Sequence, residues 1–431
     1  MFAGPLIIKG ADALGAQGGN TDNVHGLVVA GAPLPSSGTY ATLDKGVKLI
    51  QASDADAMGF DAAYDSTNKT LVRYHINEFF RLNPSGILWL LITVKTSLTD
   101  TCDVTMTATG VNQLVIDSQK TVRTIAVDMK IPDEYDPSLT NGMDADVSTA
   151  VVKAQAFCDA WRTQNIFVDG VILPGLALSL TSADWGDLRT LASPNVMVCI
   201  AQDADVAVLD THYAPHAAVG TILGALGVRR VEEDLGSVTI QNNPNNNGNP
   251  DYPIDNASTG AWLKPAISSG KLCKNLTQAE VKLIVGYVDT EVHPGNGMVY
   301  ADLYPEYAGV FFSKGSACTS AYSDYAYYVN TRVWNKAARI SLFRLIPKTN
   351  AKVELIDGMI SAPTLSEWQE EINDSKKGLG TMVTLGYTTK SAVKIDTNQD
   401  VFGTGKVVCK LSIVPFGYSR EIEGDLGFAI S

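Results

Sequence analysis

Residues 144–202, DADVSTAVVKAQAFCDAWRTQNIFVDGVILPGLALSLTSADWGDLRTLASPNVMVCIAQ, decide how the chain is read. Val147, Val151, Ala154, Cys158 and Trp161 recur at three- and four-residue steps behind Asp144. That spacing predicts a helix capped by Asp144 and running to about Gln164. Ile166–Leu173 then reads as a strand, the residues around Ser182–Leu191 as a helix, and Asn195–Gln202 as a second strand. A further helix is expected over about His216–Leu226. Helices alternating with short apolar strands predict an α/β fold whose parallel strands are covered by helices. Gly220, Gly224 and Gly227 cost the last helix stability and are expected to permit close packing.

Upstream, His25–Ala30, Ile87–Val94 and Val122–Ile131 read as strands, and Ser53–Phe60 as a short capped helix. Asn68–Leu82 reads as an amphipathic helix, with Leu71, Tyr74, His75, Phe79 and Leu82 on one side, stopped by Asn83-Pro84-Ser85-Gly86. Residues 96–121 show no clear period. Pro5–Lys9 reads as a short strand, and Gly10–Asn23 as a flexible glycine-rich stretch. The N-terminus has no basic region ahead of a long apolar core and so does not read as a signal peptide.

Downstream, Gln241–Gly260 holds seven asparagines and three prolines and reads as an exposed loop and the best internal boundary. Thr277 and Glu280 form a capping box that opens a helix to about Val285. Met298–Tyr300 and Ala308–Phe312 read as strands, Ser323–Leu345 as the longest helix, and Thr364–Lys377 as another helix. Thr381–Tyr387, Ala392–Asp396 and Lys406–Val414 read as strands. In the last, KVVCKLSIV, Val407, Cys409, Leu411 and Ile413 share one face, and Val408 and Val414 interrupt the polar one. Both faces are therefore expected to be at least partly covered. Pro415 ends the ladder. In the tail beyond it, Tyr418, Ile422, Leu426, Phe428 and Ile430 are apolar residues that need burial, either on their own domain or on a neighbouring subunit.

The 431 residues carry 33 basic and 46 acidic side chains, a formal charge of −13, with no Lys/Arg-rich run. That balance gives no electrostatic footprint for nucleic acid. Charged residues are 18% of the chain, below the usual ~25%. The six cysteines are too far apart for a CxxC site and are expected to be reduced, in a cytosol-like compartment. The longest apolar runs are too short to span a bilayer, so no direct membrane insertion is expected.

Catalytic motifs are sparse. Gly10–Asn23 lacks GxGxxG spacing, and Ser268-Ser269-Gly270-Lys271 lacks the rest of a phosphate loop. His212 and His216, with Asp205 and Asp210 upstream, offer a metal-site reading, a metal-dependent α/β hydrolase using His212, His216 and Asp210. Pro215 breaks any helix through both histidines. Asp396–Asp400 lacks the glycine and closing glutamate of a calcium loop and reads as a turn. Glu232-Glu233-Asp234 reads as a solvated face or as a partner for a basic neighbour. Arg332, Lys336 and Arg339 lie on one helix face, either solvated or touching an acidic inner tube or a neighbouring subunit.

Four phrases together resemble contractile tail sheath proteins of phages and contractile injection systems, in particular a compact sheath-like family. They are DAAYDSTNKTLVRYHINEFFRLNPSGILWLLITV (Asp61–Val94), VRRVEEDLGSVTI (Val228–Ile240), YAGVFFSKGSACTSAYSDYAYYVNTRVWNKAARISL (Tyr307–Leu342) and IVPFGYSREIEGDLGF (Ile413–Phe428). Residues 96–131 match the family poorly. The resemblance implies a structural subunit with no enzymatic activity and no cofactor, polymerising into a helical tube. Its partners would be further copies of itself, an inner tail tube protein, and baseplate and tail terminator proteins. It would reside in a virion tail, or in the bacterial cytoplasm during assembly.

The resemblance also implies that the chain ends pair with sheets of adjacent subunits. Carried onto this chain, the inter-subunit strands would be Leu6, Ile7 and Ile8, the tail residues Tyr418, Ile422, Leu426 and Phe428, and an acceptor containing Val407, Cys409, Leu411 and Ile413. The expected organisation is an arm over 1–23, an α/β domain over 24–240, a loop over 241–260, a C-terminal α+β sheath domain over 261–417, and an arm over 418–431. A tail terminator or baseplate component, closing a ring on the same fold, is the nearest alternative.

Overall fold

The computed structural model describes residues 21–179, 181–238, 263–268, 284, 287–288, 292–293, 295–304, 310–396 and 398–419. The elements used below are β1 (Val24–Ala30), β2 (Val47–Leu49), α1 (Val72–Leu82), β3 (Ile87–Thr93), α2 (Leu98–Cys102), α3 (Gly110–Asp117), β4 (Thr124–Met129) and α4 (Ala145–Thr163). They continue with β5 (Gly170–Pro174), β6 (Val196–Cys199), α5 (Val219–Val228), β7 (Met298–Val299), α6 (Tyr328–Leu345), α7 (Ala362–Asn373), β8 (Lys390–Ile395) and β9 (Cys409–Val414). The chain divides into two units, Met1–Lys336 and Ala337–Ser431.

In the first unit, seven strands form one sheet in the order β7-β6-β5-β4-β1-β3-β2. All pairs are parallel except β2 with β3. β1, β4, β5 and β6 are buried along their whole length, as sheets covered on both faces require. Neighbouring residues of β1 show the two layers, because successive side chains alternate faces. A Cβ on Gly26 would meet Leu114 of α3, whereas His25 lies against Gly227 of α5. The predicted α/β class holds.

The helix glycines do what the sequence implied. Cβ atoms on Gly220 and Gly224 would stand 2.5 Å from the His75 backbone and 2.8 Å from the Phe79 carbonyl, so α5 seats directly on α1. Asp144 caps α4 as expected, its carboxylate accepting the Asp146 amide.

Other expectations need correction. The helix placed over Asn68–Leu82 is interrupted at Lys69, which sits at φ +55°. α1 starts at Val72, and the half-buried Asp65 carboxylate accepts the amides of Arg73 and Tyr74 in place of a local cap. The helix placed at Ser182–Leu191 is two 3-10 turns. There Ser179 and Asp187 side chains compete for the backbone, accepting the Thr181 and Arg189 amides. Thr381–Tyr387 is not a strand. Thr381–Thr384 is a helical turn, with both threonine hydroxyls donating back to Gly378 and Gly380 carbonyls. Residues 96–121 contain the short helices α2 and α3. The longest described helix is α4, at 19 residues, ahead of α6 at 18. β7 joins the first sheet from beyond the Asn/Pro-rich segment, so that segment does not separate the two units. Pro5–Lys9 and the Thr277 helix lie outside the described residues.

Candidate assembly interface

The second unit is built on α7. Ser361 caps it by accepting the Thr364 amide, and Pro363 occupies the first turn, where no amide is needed. Leu365 and Trp368 join Ile360 and Ile395 in a small core. β8 and β9 run antiparallel, with Val393 opposite Leu411 and Ile395 opposite Cys409. Alternation puts Val393, Ile395, Cys409, Leu411 and Ile413 on one face. It puts Lys390, Lys394, Lys410, Ser412 and Val414 on the other.

The two edges of this hairpin differ. Amide side chains of α7 cover the outer edge of β8. Asn373 Oδ1 accepts the Val393 amide at 2.9 Å, and Gln369 Oε1 accepts the Ile395 amide at 3.0 Å. Just ahead of β9, Gln399 brackets Val408, accepting its amide at 2.6 Å and donating to its carbonyl at 2.8 Å. Within Cys409–Val414, β9 pairs with β8 alone among the described residues. Leu411 is 40% exposed and Val414 49%. The expected alternation of Cys409, Leu411 and Ile413 is present, and Val407 packs against the small core. Among the described residues the cover expected over both faces of β9 is partial: Cys409 packs on the small core and Ile413 is half-buried, whereas Leu411 and Val414 are exposed, because the helix packs on β8.

Leu6, Ile7, Ile8, Ile422, Leu426 and Phe428 lie outside the described residues. Tyr418 is half-buried.

On the cationic helix face Arg332 is internal, which corrects its reading as a solvated or contact residue. Arg332 is 2% exposed, and its Nη2 donates to the Leu226 and Arg229 carbonyls at 3.2 and 3.0 Å. The start of α6 belongs to the first unit's interior, where Tyr328 meets the Thr124 hydroxyl and Asn335 donates to the Val168 carbonyl. Lys336 pairs with Asp22, and Arg339 is half-buried. The acidic run is no solvated face either. Glu232, Glu233 and Asp234 are all buried, Glu232 pairs with Arg230 at 2.8 Å, and burial pushes its carboxyl up to about 7.

The histidines of the metal reading separate. His212 Nδ1 and Nε2 contact Asp210 and Asp133 at 2.5 and 3.0 Å, and Lys69 also pairs with Asp133. His216 Nδ1 instead meets Asp128 Oδ1 at 2.8 Å, and His75 Nε2 meets Asp128 Oδ2 at 2.9 Å. Among the described residues no group of three His, Cys, Asp or Glu side chains is placed to hold a metal ion. His75, Asp128 and His216 stand at the carboxyl end of β4. There the strand order reverses around β1, where doubly wound sheets commonly hold ligands. All three are buried. No sequence signal announced this cluster, because its members are 53 and 88 residues apart.

The five described cysteines are free thiols, Cys409 half-buried and the others buried. Burial pushes the Cys318 thiol up to about 12. No described helix is long and apolar enough to cross a membrane.

Residues 324–431 match the family model described as DUF2586, C-terminal domain. No curated protein matches the chain. Among solved structures, a chain of the anti-feeding prophage baseplate is similar over 100% of this chain and 99% of its own, with a TM-score of 0.57 and 13% identity. A chain of the PVC extracellular contractile injection system sheath, in the contracted state, is similar over 94% and 91%, with a TM-score of 0.52 and 11% identity. A sheath tail protein of Desulfitobacterium hafniense aligns over 92% and 97%, with a TM-score of 0.43 and 12% identity. This chain has the fold of the first two.

Proposed function

We propose that this chain is a structural subunit of a contractile injection machine or phage-like tail, without enzymatic activity. Within such a machine it is the repeating sheath subunit, binding further copies of itself by strand addition and surrounding an inner tube. The observation that carries this reading is the asymmetric hairpin of the second unit, closed by amide side chains at β8 and open at β9. An open edge with an apolar flank is a template for another strand. A head-to-tail contact that does not close builds a filament. The shared fold with a sheath chain supports the same reading.

Electron microscopy of the purified chain is expected to show helical tubes or rods, and a chain lacking 418–431 is expected to remain a folded monomer. Unfolding of the truncated chain would instead mean that the tail packs on its own unit. The shared fold with a baseplate chain favours a second reading, a component that closes a ring. Rings in place of tubes would establish it.

A further inference from the structure

We infer that the lysine face of the β8–β9 hairpin selects and registers an acidic extended segment, residues 421–430, from a second copy of the chain. This deepens the strand-addition reading and rests on it. Lys394 stands directly across from Lys410, and Lys390 lies four residues before Lys394 on the same face. All three side chains are exposed. Like charges placed opposite one another destabilise a strand pair, and no acidic group pairs with these lysines among the described residues. The hairpin therefore carries an electrostatic cost that a complementary strand would relieve.

The chain's own sequence supplies that complement. In EIEGDLGFAI, Glu421, Glu423 and Asp425 alternate with Ile422, Gly424 and Leu426, and Phe428 and Ile430 continue the apolar parity. Laid along the open edge of β9 as a strand, this segment presents its acids on one face and its apolar residues on the other. A register that sets the acids on the lysine face, beside Lys410 of β9, also sets Ile422, Leu426 and Phe428 on the face of Leu411 and Ile413. A one-residue slip would reverse both matches at once.

The test uses full-length chains in a charge-swap mixture, read by sedimentation and electron microscopy. One variant carries Lys394→Glu and Lys410→Glu; the other carries Glu421→Lys, Glu423→Lys and Asp425→Lys. Each alone is expected to need about tenfold more protein to assemble, the difference shrinking at high salt. Mixing the two is expected to restore assembly, because each tail then meets an acceptor of opposite charge on another copy. Assembly of each variant at the wild-type concentration would overturn the charge match while leaving strand addition standing. Failure of the mixture, with recovery when all five substitutions share one chain, would show the segment folding back on its own copy and would overturn the second-copy assignment. A chain lacking 420–431 that still forms tubes would remove strand addition itself.

Discussion

The two units of this chain hold similar proportions of apolar residues and use them in opposite ways. The first hides it: β1, β4 and β5 are buried throughout, and α5 is buried at every position. The second leaves it out. Of the 21 exposed large apolar side chains among the described residues, 11 follow Ala337, including Phe402 at 83% exposure. Charge divides the same way. Residues 337–431 carry 11 basic and 11 acidic side chains, so the whole formal charge of −13 belongs to residues 1–336. A neutral surface with exposed apolar groups associates readily, and a charged one resists it. That contrast accords with the proposed roles, one unit a rigid body and the other a joint.

The largest test of that contrast removes the buried charge of the rigid body. Burial alone would raise the Asp128 carboxyl, but the imidazoles of His216 and His75 outweigh it and hold the group below the ordinary carboxylate range. A depressed folded-state pKa contributes stability above the unfolded carboxyl value of about 4, which is lost as pH falls through and below it. Asp128→Asn is expected to cost about 3 kcal/mol or more near neutral pH and to flatten that acid slope. Calorimetry across pH measures both. An unchanged slope would mean that the cluster does not couple protonation to folding.

Gly220→Val attacks the same unit through packing. The added atoms would meet the His75 backbone, which cannot swing aside, so about 3 kcal/mol is expected from overpacking. In the full chain, the calorimetric transition of the first unit should fall and that of the second should stay. Joint loss of both would show that the units unfold as one.

The legibility of the sequence follows the same division. Where burial is complete, periodicity worked: the 3.6-residue stripe behind Asp144 and the apolar runs of β3 and β4 located elements to within a few residues. The glycine spacing in α5 announced close packing correctly. Periodicity failed where polar side chains took over the backbone, as with Asp187 at the turns after β5 and the threonines of Thr381–Thr384. It also failed for charges. Glu232-Glu233-Asp234 and Arg332 look solvated in sequence and are buried; Arg332 reaches the Leu226 and Arg229 carbonyls across about a hundred residues of chain, a separation no local window spans. At the interface the strand face of Cys409, Leu411 and Ile413 was readable. Which edge stays open was not, since that depends on Gln369 and Asn373 reaching from α7.

A smaller effect is expected at the closed edge of the joint. Asn373→Ala would leave the Val393 amide without its acceptor, costing about 1–2 kcal/mol. It would also open β8 to strand addition. Assembly with altered geometry, seen as thicker or branched tubes, is the expected outcome by electron microscopy. Unaltered tubes would show that the β8 edge is shielded by more than this amide.

The smallest effect on folding should accompany a large effect on association, and Leu411→Ser is where the two part. Leu411 lies on the apolar face of β9 but is 40% exposed, so its truncation within the monomer should stay within about 0.5 kcal/mol. The same side chain lies on the apolar flank of the open edge, where an added strand would cover it, and burying a leucine is worth roughly 1.5–3 kcal/mol. The variant is therefore expected to melt with the wild type and to assemble only at concentrations at least about tenfold higher. The matching control is Leu90→Ser in β3, a leucine with 0% exposure, which should lose several kcal/mol of stability instead. If Leu411→Ser lowered the melting temperature as Leu90→Ser does, β9 would belong to a finished core, and the second unit would be another rigid body.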